Sequence, residues 1–293
     1  MALPQPPMPQ TATCYRHPGR EAGRRCTRCG RPACAECLVQ ASVGSHCVEC
    51  AKQDRPDVAT RARYWNARQP TLVTYAIISL NIAVFIWLVI QDTAALTGSH
   101  TTRGQVDLGL IDEYRTGFGT RSALADDGEW YRLLTSGFLH FSIIHLAFNM
   151  LLLFQLGHLL EPAIGRVRFA LLYFAALLAG SAGALLVTPG SLSGGASGAV
   201  FGLMAAAFVG LRNRGINPFS TGIGTVLVIN LVLTFALPGI SIGGHIGGIV
   251  GGVVAGWVIM APHHRRVPNW ASYATPIAVM VASVLVSVIV AST

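Results

Sequence analysis

The chain has 293 residues, of which 52% are hydrophobic and only 12% are charged, whereas a soluble globular protein carries about 25% charged residues. From Phe141 to the end there is one acidic residue, Glu161, and no lysine, while all seven cysteines lie between Cys14 and Cys50. The formal net charge is +8, but most arginines flank apolar segments, where membrane topology accounts for them. The composition therefore argues against a nucleic-acid partner and predicts a small Cys-rich head joined to a body in the lipid bilayer.

The predicted organisation begins with a short tail. Residues 1–12 are rich in Pro and Gln and lack both a charged start and an apolar run. They therefore predict a disordered tail and no secretory signal. We place the zinc-binding head at 13–52, a linker at 53–70, the main membrane core at 71–265 and an additional C-terminal membrane helix at 266–293.

The head contains four short pairs of metal-ligating residues, each with two residues between its members: Cys14 and His17, Cys26 and Cys29, Cys34 and Cys37, and Cys47 and Cys50. Each pair can bend around one ion through a tight turn, and two pairs complete a tetrahedral site. Seven thiols and one imidazole favour two structural Zn²⁺ ions, with a redox or disulfide cluster as the alternative. His46 competes as a ligand with Cys47 or Cys50.

The spacing of these pairs resembles that of B-box and RING-like zinc modules. The resemblance implies a cross-brace, although a sequential pairing is also compatible with the sequence. In a cross-brace the first ion is held by Cys14, His17, Cys34 and Cys37, and the second by Cys26, Cys29, Cys47 and Cys50. A head of this size is too small to fold on an apolar core alone, so zinc is expected to stabilise it. Such modules mostly bind proteins, which implies a protein partner.

The body contains seven apolar stretches of about the length that crosses a hydrocarbon core of about 30 Å. They are Leu72–Ile90, Ile143–Leu160, Phe169–Val187, Ser197–Leu211, Phe219–Leu237, Ile242–Met260 and Tyr273–Ala291. The fourth is short and rich in small residues, so we expect its neighbours to enclose it. These stretches predict an all-α polytopic membrane protein.

Arginines set the expected orientation. They lie before the first span (Arg55, Arg61, Arg63, Arg68) and after the second, fourth and sixth (Arg166, Arg168, Arg212, Arg214, Arg265, Arg266). All these positions share one side of the membrane if the seven spans are real, and arginine-rich loops remain in the cytoplasm. The head is therefore predicted inside and the C-terminus outside. The Ala-, Gly- and Arg-rich composition points to the plasma membrane of a bacterium.

Three polar clusters lie at the predicted outer ends of spans. Ser197 follows Gly194, Gly195 and Ala196 at the start of span four, where free backbone N–H groups can stabilise an oxyanion. His245 lies among glycines at the start of span six, on the same face as a stripe of Gly248, Gly252 and Gly256 that allows close helix approach. The alternatives are a helix cap or packing face for Ser197 and a packed neutral histidine for His245.

The third cluster precedes span two. His145 and Asn149 lie four residues apart on one face and suit stabilisation of a developing oxyanion, or else simple polar contact between helices. Glu161 is predicted at the inner end of span two, so the spans offer no carboxylate to His245. We therefore predict a Ser–His dyad, in which the ring of Phe201 packs against the imidazole and orients it.

The order of these motifs resembles that of rhomboid intramembrane proteases. The shared features are G-A-S-G at 195–198, H-I-G-G at 245–248, H-x4-H-x3-N at 140–149, W-Y-R at 130–132 and L-G through Glu161 to G-R at 156–166. The resemblance covers about residues 70–265 and implies a six-helix core, which the last span would follow as a seventh helix. Phe201 departs from the family, which often has Tyr there, but it keeps the ring.

The resemblance implies that Ser197 is the nucleophile and His245 the base of a serine endopeptidase that cleaves transmembrane segments. It also implies that His145, Asn149 and the backbone around Gly195 and Ser197 stabilise the oxyanion, with Trp130 and Arg132 in a structured first loop. Catalysis then needs no metal or nucleotide. The rival functions are a catalytically inactive rhomboid-like factor that binds membrane proteins and a transporter. The near absence of charge within the spans argues against the transporter.

Overall fold

The computed structural model describes residues 12–41, 43–53, 70–116, 119–262 and 265–292. The chain divides into two units, Met1–Trp65 and Asn66–Thr293. The predicted tail, except residue 12, lies outside the described residues, as does most of the predicted linker. The four arginines assigned to the inner side before the first span lie in that undescribed part of the linker.

In its described residues, the first unit contains two small antiparallel hairpins and one short α-helix. Strands β1 (Arg24–Arg25) and β2 (Pro32–Ala33) form the first hairpin, and β3 (Leu38–Gln40) and β4 (Ser45–Cys47) form the second. Helix α1 (Val48–Gln53) follows β4 directly. Three Cys-x2-Cys pairs therefore lie at turns or element ends: in the β1–β2 turn, in the 3-10 turn Ala35–Cys37 with its preceding residue, and at the β4–α1 junction.

The interior of this unit consists almost entirely of cysteine. Among its described residues, the buried ones are Ala33 and six cysteines: Cys14, Cys26, Cys34, Cys37, Cys47 and Cys50. Thiols this concentrated provide little apolar area, so the hydrophobic effect alone offers weak stabilisation to a unit of this size.

The second unit contains a helix at each of the seven predicted spans. These are α2 (Leu72–Gln91), α6 (Ile143–Ile164), α7 (Arg166–Val187), α8 (Ser197–Asn213), α9 (Ile223–Ala236), α10 (Ile242–Ile259) and α11 (Ala271–Ala291). Five of them, all except α8 and α9, are long and apolar enough to cross a membrane. The predicted class, an all-α polytopic membrane protein, is confirmed.

The predicted start of the fifth span was wrong by four residues. Phe219 lies in a turn, in which its backbone N–H donates to Asn217 Oδ1 at 3.1 Å. The helix begins only after Gly222, which has a φ of +82°. The Asn–Pro sequence before Phe219 favours a turn over a helix, and α9 is therefore only 14 residues long.

The loop between α2 and α6 is ordered over most of its described length. It contains the short helices α3 (Ala94–Thr97), α4 (Arg103–Leu108) and α5 (Arg132–Thr135) and the hairpin of β5 (Glu113–Thr116) with β6 (Gly119–Ser122). Buried Arg132 holds the loop together. It donates to Glu129 at 2.7 Å and to the carbonyls of Gly109, at 2.6 Å, and Val106.

Helix α8 lies at the centre of the second unit, as its small residues predict. Eleven of its 17 residues are buried, and it packs against α6, α7, α9 and α10. A helix that neighbours enclose need not span the full hydrocarbon thickness with its own apolar surface. The additional helix α11 packs along α7 and α10.

Glycines bring α7, α8 and α10 into backbone contact. A Cβ added at Gly248 would lie 2.0 Å from the carbonyl oxygen of Gly198, and one at Gly252 would lie 2.1 Å from that of Gly202. On the other side of α10, a Cβ at Gly243 would lie 2.1 Å from the carbonyl oxygen of Gly183. Small residues allow such approach in membrane helices, where van der Waals packing holds helices together.

We expect Gly252→Ala to separate α8 from α10, because the methyl group has no space beside Gly202. Overpacking of this kind costs about 1–3 kcal/mol. The measurement is thermal unfolding of the purified chain in detergent, followed by tryptophan fluorescence. Gly190→Ala is the matched control, since its Cβ would meet the nearest atom, the Glu113 carbonyl oxygen, at an ordinary 3.8 Å. Equal melting temperatures for the two variants would contradict this account of the interface.

Candidate active site and candidate metal centre

Ser197 is the first residue of α8, and backbone hydrogen bonds fix the position of the loop before it. Ser193 exchanges two of them with Leu110, at 2.7 and 2.8 Å, and Gly195 N–H donates to the Ser136 carbonyl at 2.8 Å. Gly195 has a φ of +129°, a conformation that side chains rarely adopt. The serine hydroxyl thus lies beside the free N–H groups that begin a helix.

His245 lies in the first turn of α10 and faces Ser197. Ser241 caps this helix by accepting a hydrogen bond from Gly244 N–H at 3.2 Å. The imidazole Nε2 lies 2.8 Å from Ser197 Oγ, a hydrogen-bonding distance, and His245 is only 7% exposed. The structure therefore brings the two predicted residues together through the contact between α8 and α10.

Two further side chains hold the imidazole. The ring of Phe201 stacks on it with centroids 4.1 Å apart and an interplanar angle of 26°. The other ring nitrogen, Nδ1, lies 2.7 Å from Thr234 Oγ1 on α9. Sequence reasoning missed Thr234, because a single threonine in an apolar helix carries no pattern that relates it to a histidine eleven residues later.

His145 lies in the first turn of α6, close to Gly195. Its Nδ1 accepts from Phe141 N–H at 3.4 Å, so Nε2 is the nitrogen that carries the hydrogen. A Cβ built on Gly195 would lie 2.9 Å from this Nε2 and 3.7 Å from Ser197 Oγ. The N–H of His145 is thus directed at the region in front of the serine.

Asn149 lies one helical turn after the half-buried His145 and is itself buried. Its Nδ2 donates to the His145 carbonyl at 2.9 Å. Because an amide group has two hydrogens, one remains for another acceptor. The neighbouring ring of His140 packs edge-on against that of His145, with centroids 4.9 Å apart. His145 is therefore held by contacts with Phe141 and His140.

A cavity of about 40 Å³ opens beside Ser197 and His245. Its lining includes the hydroxyl-bearing residues Ser136, Ser181 and Ser193, together with several glycines. This space is sufficient for a water molecule, and its polar walls can hydrogen-bond one.

Glu161 belongs to the opposite end of α6 and has a structural role. Its carboxylate accepts from the backbone N–H groups of Val73 and Thr74 at 3.0 and 2.8 Å, and from the Thr74 hydroxyl at 2.6 Å. It thereby neutralises the N-terminus of α2, where a negative charge is favourable.

In the head, the eight predicted ligands form two groups whose ligand atoms lie within 4.8 Å of one another. The groups are Cys14, His17, Cys34 and Cys37, and Cys26, Cys29, Cys47 and Cys50. This is the crossed combination of pairs, and His46 lies outside both groups. All seven cysteines are free thiols.

Several of the separations are close to those around a tetrahedral zinc ion, and the separation of Cys14 Sγ from His17 Nδ1, at 4.0 Å, is slightly longer. With Zn–S bonds of about 2.3 Å and Zn–N bonds of about 2.1 Å, the edges of a tetrahedron are about 3.5–3.8 Å long. Cys34 Sγ and Cys37 Sγ lie 3.5 and 3.4 Å from His17 Nδ1, and Cys29 Sγ lies 3.7 Å from Cys47 Sγ. A disulfide would need a separation of about 2.05 Å.

The surroundings favour the thiolate form at some of these ligands and oppose it at others: burial raises the pKa of Cys37, and the hydrogen bond with Cys47 raises the pKa of Cys50. Although desolvation opposes ionisation of Cys14, backbone N–H groups of Cys34, Arg16 and His17 lower its pKa to about 6. Tyr15 packs against both thiol groups, Arg31 lies 5.0 Å above its ring, and its hydroxyl donates to Glu49. Zinc held by these residues would supply the stability that the small interior lacks.

The fold and the site together define a multi-pass helical membrane protein with a serine–histidine pair. A family model described as "Rhomboid domain" matches residues 127–262. This confirms the resemblance drawn from the motifs: residues 127–262 of the membrane unit are similar to a rhomboid domain.

The chain is similar to the rhomboid protease GluP of Bacillus subtilis, with 37% identity over 64% of this chain and 34% of that protein. It is 34% identical to the putative rhomboid protease YdcA of the same organism, over 41% of this chain and 62% of that protein. The inactive RHOMBOID-like protein 8 of Arabidopsis thaliana is 31% identical over 38% of this chain and 32% of that protein. The chain thus matches less than two thirds of each relative's length.

Metal analysis of the full chain in detergent tests the ligand groups. We expect two zinc ions per chain. The double variant Cys14→Ser/Cys34→Ser should retain one ion, because both cysteines belong to the same group, whereas Cys14→Ser/Cys26→Ser should retain none. A sequential pairing predicts the reverse result for the two variants. His46→Ala is the control, and loss of an ion from it would contradict the ligand set.

Proposed function

We propose that the chain is an intramembrane serine endopeptidase whose nucleophile is Ser197 and whose general base is His245. The observation that carries this proposal is the 2.8 Å contact between Ser197 Oγ and His245 Nε2 at the start of two closely packed helices. A nucleophile and a base within hydrogen-bonding reach, with the base itself held in place, is the arrangement that nucleophilic catalysis requires.

The reaction proceeds by acyl transfer. His245 Nε2 takes the hydroxyl proton as Ser197 Oγ attacks the scissile carbonyl carbon, and the carbonyl oxygen becomes an oxyanion. Donors for this oxyanion are the backbone N–H at Ser197, the Nε2–H of His145 and the remaining amide hydrogen of Asn149. Gly195 is required between them, because a side chain there would collide with His145. Water then hydrolyses the acyl-enzyme.

The proposed substrates are membrane proteins with helix-destabilised transmembrane segments. The carbonyls of a spanning helix are tied up in hydrogen bonds, so the segment must unwind locally before it can be attacked. The cavity beside Ser197 is small, which favours small residues next to the scissile bond.

We place the chain in the plasma membrane of a bacterium, with the head in the cytoplasm and the C-terminus outside. The arginines that follow α6, α8 and α10 support this orientation. Ser197 and His245 then lie in the outer half of the bilayer, where water can reach them. The zinc-stabilised head is proposed to bind a protein partner in the cytoplasm.

The alternative is a catalytically inactive rhomboid-like factor that binds membrane proteins. One of the relatives that the chain resembles is named inactive, which is the reason to consider this alternative. The contact between Ser197 and His245 supports the enzyme instead, since a binding protein does not need a hydroxyl aligned with an imidazole.

Covalent labelling with a fluorophosphonate probe tests the nucleophile. We expect the wild type to be labelled, and Ser197→Ala and His245→Ala to lose the label, because the probe needs an activated serine. Ser191→Ala, which alters an exposed serine six residues earlier, is the matched control and should label normally. If the wild type remains unlabelled but captures membrane segments, the binding factor is the correct reading.

A substrate helix that unwinds more easily should be cleaved faster. In proteoliposomes, a single-span reporter with two glycines beyond the scissile bond should be cleaved faster than one with two alanines there. Each Gly→Ala change strengthens a helix by about 1 kcal/mol, which corresponds to about a fivefold lower rate. Unfolded peptides with the same two sequences form the control and should be cleaved at equal rates. Equal rates for the embedded reporters would exclude a requirement for unwinding.

A further inference from the structure

We propose that Thr234 is a positioning residue for the general base: its hydroxyl oxygen accepts the Nδ1–H of His245 and so leaves Nε2 unprotonated towards Ser197. This inference rests on the proposed proteolytic function of Ser197 and His245. It makes the catalytic unit a chain of three side chains from α8, α9 and α10.

The hydrogen-bond directions follow from the single proton of the threonine hydroxyl. Thr234 Oγ1 lies 2.8 Å from the carbonyl oxygen of Asn230, one turn earlier in α9, and donates to it. A hydroxyl has one hydrogen and two lone pairs. In the 2.7 Å contact between Thr234 Oγ1 and His245 Nδ1, the imidazole N–H must then be the donor.

This direction selects one tautomer of the neutral ring. A neutral imidazole carries hydrogen on one nitrogen only. With the hydrogen on Nδ1, the lone pair of Nε2 faces the Ser197 hydroxyl at 2.8 Å and can accept its proton. The opposite tautomer would direct an N–H at Ser197 Oγ, and it would require Thr234 to turn its own hydrogen away from Asn230.

The pattern of burial along α9 indicates that position 234 requires a hydroxyl group and not only a side chain of this size. Within α9, all of whose residues are described, only Gly224 and Thr234 are buried. The apolar side chains Val228, Val232 and Phe235 are exposed instead. The one buried side chain of an apolar helix is therefore a polar one, at 1% exposure. Valine has nearly the same shape and would serve packing without a hydroxyl.

The proton balance leaves Thr234 unchanged throughout. As the Ser197 O–H bond breaks, the proton forms an N–H bond at His245 Nε2, and the imidazolium then carries hydrogen on both nitrogens. Thr234 continues to accept from Nδ1. When the peptide C–N bond breaks, the Nε2 proton passes to the leaving nitrogen. A neutral hydroxyl thus takes the orienting task that an aspartate performs in soluble serine proteases, without a carboxylate in the membrane.

Three variants of the full chain test the role of the hydroxyl. Thr234→Val should lower kcat about 10- to 100-fold with KM nearly unchanged, because a misoriented base costs rate and not binding. Thr234→Ser, which keeps the hydroxyl, should restore most of the rate. The matched control is Ser287→Ala, which removes a buried hydroxyl that donates to the carbonyl one turn earlier in α11, and which should remain fully active.

Nitrogen-15 NMR of histidine-labelled protein reads the tautomer directly. Subtraction of the His245→Ala spectrum identifies the ring signals, and at a pH where the ring is neutral the wild type should carry its hydrogen on Nδ1. Thr234→Val should shift this population towards Nε2–H. A wild-type ring protonated on Nε2 overturns the inference even if Thr234→Val fails to fold.

The remaining outcomes are also decisive. A folded Thr234→Val with wild-type kcat overturns the inference, as does a loss of rate that Thr234→Ser does not restore, because that loss belongs to packing. If wild type and Ser197→Ala are equally unreactive, the proposed proteolysis itself is wrong. The fluorophosphonate comparison therefore separates the failure of the function from the failure of the threonine contact.

Discussion

The site depends on backbone contact between α8 and α10. Within a bilayer, hydrophobic burial does not press helices together, so their association relies on close packing and on hydrogen bonds. The glycines of α10 meet the carbonyl oxygens of Gly198 and Gly202 at distances that leave no space for a methyl group. Ser197 and His245 begin these two helices, and a separation larger by even one side chain would break their 2.8 Å contact.

Hydroxyl and backbone groups surround the contact between Ser197 and His245. A soluble serine protease would place a carboxylate beside the histidine. The two nitrogens of His245 each lie against a hydroxyl, and the acidic Glu161 is used at the other end of α6, on the N-terminus of α2. A buried anion is expensive in hydrocarbon, whereas a hydroxyl that also bonds its own helix costs little. The charged side chain of Arg132 supports the site from a distance and lies in the first loop. There it holds the segment that ends at Leu110, which in turn pairs with Ser193.

Local sequence patterns predicted the membrane helices, the metal-ligand pairs and the close helix pair of this protein. Runs of about 20 apolar residues predict spanning helices because the hydrocarbon thickness sets their length, and a helix lies at each of the seven predicted places. Pairs of ligands with two residues between their members predict metal-binding turns because their spacing is local. The glycine stripe of α10 and the serine among glycines indicated a close helix pair. These features are local in the chain, so the sequence alone was sufficient to predict them.

The relations between distant residues were decided by the tertiary structure. The crossed combination of cysteine pairs followed from how the two hairpins pack. Thr234 faces His245 only because the end of α9 packs beside the start of α10, and no spacing along the chain specifies that approach. The sequence by itself thus determined which helices, ligand pairs and reactive groups exist. Which of them meet depended on the packing of helices that are far apart in the chain, because a hydrogen bond depends on distance in space.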